Sequence, residues 1–196
     1  MQPLVVDLYH GNVVYDFAQV KAAGVVGVIH KASQGSSMVD GAYAARRSAI
    51  LNAGLKFGAY HFMDASNPVV QAQHFLSVAA ADDATLVALD WEINQPSETI
   101  ARSFLTEIQN ALGRSAVLYS GAIAKEQIQG NDTFFGSHRL WLAEYGPSWK
   151  VQESWKAPWL WQYSETGVIA GLRSPTDVSS VAEGVDSAAI ISEWAK

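Results

Sequence analysis

The sequence contains no cysteine, which excludes a disulfide framework, a thiolate metal site and a Cys/His nucleophile pair, and leaves the core alone to hold the fold. Proline is sparse and scattered, with six in 196 residues. No Gly/Ser tract, like-charge block or internal repeat divides the chain into two compositions, so one domain spanning 1–196 is expected. Charge is also scarce, at 16% of residues, and its balance of 13 basic against 19 acidic side chains gives a net charge of −6. A polyanion is repelled by such a field, which argues against nucleic acid as a partner. No apolar run reaches the ~20 residues that span a bilayer. The opening Met-Gln-Pro-Leu-Val-Val-Asp lacks the basic and then apolar regions of an export signal. The expectation is a soluble chain with no membrane partner and no secretion signal of its own. Phosphate-cradling glycine loops and a Gly-x-Ser-x-Gly elbow are missing too, which removes support for nucleotide chemistry and for a serine nucleophile.

What the chain does have is a recurrence of short apolar runs rich in β-branched and aromatic residues, separated by segments of helical spacing. The expected strands are Leu4 to Asp7, Val25 to Lys31, Lys56 to Phe62, Leu86 to Glu92, Ala116 to Ser120, Leu140 to Glu144, Leu160 to Tyr163, and a short one ending at Asp186. Between them Phe17, Val20 and Ala23 share a helix face, as do Val69, Ala72, Phe75, Leu76 and Ala79, and then Ile100, Phe104, Ile108 and Leu112. Gly24, Gly54 and Gly113 follow helical patterns and precede apolar runs, as helix-closing glycines do. Strands alternating with helices favour a parallel sheet, and about eight of them point to a β/α barrel. A complete barrel takes ~250 residues, so this one is expected to be irregular, with some helices missing, chiefly between Leu140 and Tyr163.

Almost every expected strand ends in a polar or aromatic residue: Asp7, His30 with Lys31, Tyr60 with His61, Asp90 with Glu92, Tyr119 with Ser120, Glu144, and Gln162 with Tyr163. In a parallel barrel those ends gather at one rim, where active sites are built. The sharpest signal is Leu89-Asp90-Trp91-Glu92. Residues two apart on a strand face the same side, ~6.5 Å apart. Crowding then keeps one carboxyl protonated beside a charged one, the usual equipment for glycosidic bond cleavage. Asp7 on the first strand and Asp186 on the last become neighbours when a barrel closes. A metal site ranks lower, because His10, His30, His61, His74 and His138 are isolated in sequence. Trp141, Trp149, Trp155, Trp159 and Trp161 crowd into one third of the chain, and one or two are expected to line a groove for sugar rings.

These segments are collinear with a known family. Val6-Asp7, Val28-Ile29-His30-Lys31-Ala32-Ser33-Gln34-Gly35, Gly58-Ala59-Tyr60-His61-Phe62, Ala88-Leu89-Asp90-Trp91-Glu92, Leu118-Tyr119-Ser120, Leu140-Trp141-Leu142-Ala143-Glu144-Tyr145-Gly146 and Trp159-Leu160-Trp161-Gln162-Tyr163-Ser164 resemble the glycoside hydrolase family 25 lysozymes, or muramidases. The resemblance implies a flattened, irregular TIM-like β/α barrel. It implies a monomeric hydrolase without cofactor that acts on peptidoglycan glycan strands in the cell wall, at the β-1,4 bond between N-acetylmuramic acid and N-acetylglucosamine. It places Glu92 as general acid, Asp7, Asp90 and Asp186 as its acidic support, and Tyr60, His61, Tyr119, Trp141, Trp161, Gln162 and Tyr163 along the groove. Retention of anomeric configuration, with the substrate's acetamido group as nucleophile, comes with it. The chain departs from the family pattern after Asp7, where Leu8-Tyr9-His10-Gly11-Asn12 reshapes one groove wall, and after Asp186, where Ser187-Ala188 replaces the usual asparagine context. Two rival readings share these residues: a glycan-binding domain without turnover, and a hydrolase of another amino-sugar polymer such as chitin.

Overall fold

The computed structural model describes residues 2, 4–95, 97–182 and 187–196. Among them nine strands form one sheet: β1 (Val5–Leu8), β2 (Gly27–Gln34), β3 (Met38–Val39), β4 (Lys56–Phe62), β5 (Leu86–Asp90), β6 (Val117–Ser120), β7 (Leu140–Ala143), β8 (Leu160–Gly167) and β9 (Thr176–Ser180). Seven helices accompany them: α1 (Phe17–Ala22), α2 (Tyr43–Asn52), α3 (Pro68–Ala79), α4 (Glu98–Leu112), α5 (Ala122–Gln127), α6 (Thr133–Gly136) and α7 (Ser187–Ser192).

The strand order β1-β9-β8-β7-β6-β5-β4-β2, closed by a β1–β2 pairing, makes an eight-stranded barrel, with β3 folded back on β2 as a hairpin. Pairings from β1 through β8 by way of β2 and β4 are parallel, but β9 runs antiparallel to both β8 and β1. The parallel expectation therefore fails at the last strand. The longer helix-free stretch 144–159 returns β8 parallel to β7, whereas the connection 168–175 between β8 and β9 is shorter than the dozen or so residues that a parallel crossover takes, so β9 turns back. That strand is also not the one anticipated: it ends at Ser180, whereas Asp186 lies outside the described residues.

Local chemistry sets the helix limits. Asp16 and Asn67 accept backbone N–H bonds at the starts of α1 and α3, and Pro68 opens α3, where its missing N–H costs nothing. α4 buries Ala101, Phe104, Leu105 and Ile108 along one stripe and stops at Gly113, whose φ of 69° favours a residue without Cβ. α2 was not marked by a strong pattern, since only Tyr43 and Ile50 of its ten residues are buried.

Strand alternation sorts the apolar residues into two cores. Val5, Ile29, Leu86, Ala88, Val117 and Leu160 fill the barrel, plugged from below by Ile190 and Trp194. Gly27 makes room for this plug, because a Cβ there would lie 2.4 Å from the Trp194 ring. The opposite strand faces, with Val6, Val28, Phe57, Val87, Leu118, Leu142 and Val178, pack against Phe17, Ile50, Phe75, Phe104 and Ile108 of the helices. Above the inner plug the same inward positions turn polar, and there the barrel opens.

Candidate active site

At the C-terminal rim of the parallel strands lies a cleft of about 350 Å³. Its wall follows from inward parity: after Val5 on β1 comes Asp7, after Gly58 on β4 come Tyr60 and Phe62, and after Ala88 on β5 come Asp90 and, just past the strand, Glu92. Tyr119 on β6, Trp141 on β7, Gln162 on β8 and Asp177 on β9 continue the ring, with Tyr9, Tyr145 and Glu165 at its edge. Lys31 is the one cationic side chain among the described residues that line it. A second hollow of about 240 Å³, lined by Glu92, Tyr119, Gly121, Ala122, Ile123, Ala143 and Tyr145, adjoins the first at Glu92.

Hydrogen bonds fix the floor. Tyr119 donates to Gln162 Oε1 and Gln162 Nε2 donates to Asp7 Oδ2, both at 2.9 Å. The phenol thereby orients the amide, and the amide supplies the carboxylate with a donor. Trp141 sits edge-on to Tyr119 with centroids 4.5 Å apart and donates to Ser179 Oγ at 3.0 Å. Lys31 donates to Gln34 and lies 4.5 Å over the Phe62 ring. Asp7 and Asp177 are directly paired across β1 and β9.

This crowding disturbs Asp7, Asp90, Glu92 and Asp177. Asp7 is pushed well above the usual carboxylate range by burial, then by Asp177 and Glu92, against the bond from Gln162. Asp90 rises likewise through burial, Glu92 and Asp7, with Lys31 opposing. Asp177 is pushed up to about 6 by burial, Glu165 and Glu92. Glu92 is raised mainly by burial and held back by Lys31. Its side chain is open to solvent, yet the protein around the cleft mouth displaces enough water to favour the neutral form. Asp90 Oδ1 is buried and has no hydrogen-bond partner among the described residues. One cleft thus holds several acids that cannot all ionise together, with Glu92 and Glu165 the ones exposed to solvent. Among the described residues no three His, Asp or Glu side chains are grouped to hold a metal ion.

Of the residues expected in the groove, Asp7, Asp90, Glu92, Tyr60, Tyr119, Trp141 and Gln162 meet in the cleft, and three do not. His61 is fully buried on the outer face of β4, stacked on Phe104 and bonded through both ring nitrogens to Ser33 and Gln71. Trp161 packs in the outer core and donates to the Glu144 carbonyl. Tyr163 packs beside it. Each is an odd neighbour of an inward residue, and consecutive strand residues cannot share a face. Asp177 was missed, although Thr176-Asp177-Val178-Ser179-Ser180 after Ser174-Pro175 carries a strand pattern following a turn. Asp186, the acid expected on the last strand, lies outside the described residues.

Comparison with known proteins places the chain in one family. The model of Glycosyl hydrolases family 25 matches residues 6–172. The Autolytic lysozyme of Clostridium acetobutylicum is 31% identical over 189 residues, covering 92% of this chain and 56% of that protein. Lysozyme M1 of Streptomyces globisporus is 28% identical over 191 residues, covering 88% of this chain and 65% of the relative. The chain therefore spans between half and two thirds of the length of these curated relatives. The crystal structure of the bacterial lysozyme from Streptomyces coelicolor is similar with a TM-score of 0.81 at 26% identity, covering 95% of this chain and 94% of that one.

Proposed function

The chain belongs to glycosyl hydrolases family 25, and from that premise we propose that residues 1–196 act as one muramidase domain. It hydrolyses the β-1,4 bond between N-acetylmuramic acid and N-acetylglucosamine in peptidoglycan, with retention. The observation that carries this reading is the meeting of Asp7, Asp90, Glu92 and Asp177 in one cleft with Lys31 as the cation among them.

Glu92, raised and accessible, is the general acid: it gives its proton to the glycosidic oxygen as the bond from C1 to that oxygen breaks. Carboxylate charge beneath the ring stabilises the oxocarbenium-like transition state. The substrate's acetamido oxygen attacks C1 from the opposite face, while Asp90 Oδ1, buried without a partner among the described residues, accepts the acetamido N–H. Glu92, now ionised, takes a proton from the water that opens this intermediate, and the configuration is restored. Because the nucleophile belongs to the substrate, the spacing between carboxylates does not set the stereochemistry.

The test compares reducing-sugar release from peptidoglycan by the wild type and Glu92→Gln. The amide keeps the shape but carries no proton to give, so the rate should fall by at least about 10²-fold. Equal rates would remove Glu92 from the role. Binding without turnover by the wild type would favour pure glycan recognition, and faster turnover of chitin would move the substrate to another amino-sugar polymer.

A further inference from the structure

Tyr9 is a rim residue with no place in the chemistry above, and the structure invests an unusual amount of polar bonding in holding it. It follows Asp7 on the inward parity of β1 and lines the cleft, yet its side chain is 43% exposed. Its ring packs against Gly11, where an added Cβ would lie 2.5 Å from the ring carbons, so a side chain there would displace the ring from this pose.

The loop beneath is pinned from four directions. Tyr9 N–H donates to Asn12 Oδ1 at 2.8 Å, and His10 N–H donates to Asp40 Oδ2 at 2.8 Å. Arg46 donates to the Tyr9 carbonyl at 2.7 Å and to the Asn12 carbonyl. Asp40 itself is 2% exposed, and Arg46 is steadied by His30 Nε2, which accepts at 3.1 Å because Nδ1 is bonded to the Lys31 carbonyl. A buried charge such as that of Asp40 is costly, and here it serves, with the half-buried Arg46, a surface loop that presents an aromatic face. An aromatic ring immobilised before binding loses little conformational freedom when a ligand covers it.

We infer that Tyr9 is the stacking platform of a further glycan subsite on the β1 side of the cleft, taking the pyranose ring next to the sugar held over the carboxylates, and that Arg46 and Asp40 are its positioning residues. This rests on the glycan-cleaving reading but is separable from it. Stacking on a ring that does not react, equally strong in ground and transition states, acts on KM and leaves kcat alone.

The experiment measures kinetics on peptidoglycan oligosaccharides of short and long chain length, and calorimetric binding of the long ones to Glu92→Gln protein with and without Tyr9→Ala. With long glycans Tyr9→Ala should raise KM, and weaken binding, by roughly three- to tenfold, the range of an aromatic contact, with kcat unchanged. Chains too short to reach the platform should be unaffected, and Tyr9→Phe should restore wild-type values. Arg46→Gln should raise KM in the wild type but add little in Tyr9→Ala. Unchanged KM and binding in Tyr9→Ala, or a Tyr9→Phe protein as impaired as Tyr9→Ala, would overturn the subsite. Absence of turnover by the wild type would instead count against the muramidase reading, with calorimetry still deciding the role of Tyr9.

Discussion

Tyr60 and His61 are consecutive on β4, yet they belong to regions of opposite character. Tyr60 faces a cleft where Asp7, Asp90 and Glu92 repel one another's charge, and its own phenol is raised by burial and by those acids. His61 faces the helices, where Ser33 donates to its Nδ1 and its Nε2–H is accepted by Gln71. The outer layer has resolved its electrostatics and the cleft has not. Stability is built where partners are matched, and chemistry is available where like charges are held together. The two regions also respond to pH with opposite sign, which makes the contrast measurable.

The sharpest break of this contrast comes from paired substitutions. Asp90→Asn should lower turnover by about 10²-fold or more while leaving the melting temperature unchanged or higher, because a buried repulsive charge is lost. His61→Ala should do the reverse: a loss of about 3–4 kcal/mol in stability, from a cavity and an orphaned partner, with KM unchanged at temperatures where the protein is folded. Turnover and denaturant melts of both variants check this, and a His61→Ala protein that is stable but inactive would erase the distinction.

Acid titration comes next. His30 and His61 are both lowered to about 4 by burial, from an ordinary 6.5. Their contribution is present above pH 6.5 and is lost as pH falls through about 4, by at most about 3 kcal/mol each. Denaturation midpoints between pH 7 and 4 should fall, and His61→Phe should flatten the fall.

In the cleft the sign is reversed. Asp177, raised from 3.8 to about 6, contributes fully below 3.8 and its contribution is lost as pH rises through about 6. Asp177→Asn should match the wild type in stability near pH 3.5 and exceed it by about 1 kcal/mol at pH 7, after discounting for its partial exposure. The smallest effect belongs to Trp161→Phe. It removes one bond to the Glu144 carbonyl, costing about 1 kcal/mol without moving KM, whereas Trp141→Phe should raise KM.

The barrel was legible because its strands are short, apolar and regularly spaced: Lys56 to Phe62 is a strand with the limits expected from its residues, and the expected stripe on α4 is buried at Phe104 and Ile108. α2 escaped because its arginines serve the Tyr9 loop and the sheet rather than marking a solvent face, as Arg46 shows. β9 escaped because its serines satisfy partners inside the barrel, as Ser179 does for Trp141, so it lacks the usual apolar signature. In the site, motif matching named whole segments, while the pleat admits only alternate residues. That is why Gln162 is in and its neighbours Trp161 and Tyr163 are out. At β2 a bulge between Lys31 and Ser33 breaks even this alternation, turning Ser33 outward to His61 while Lys31 stays in the cleft.

β1 is clasped between β2 and β9, so the ring is sealed by joining strands from the two ends of the chain. Until β9 docks, Asp7 lies beside an open strand edge, and the docking brings Asp177 to face it. Incomplete or clipped products that lack β9 would expose that edge and hold only part of the acid constellation. The acid constellation is thus completed only when the ring closes, so whatever parts the β1–β9 seam takes the cleft apart with it.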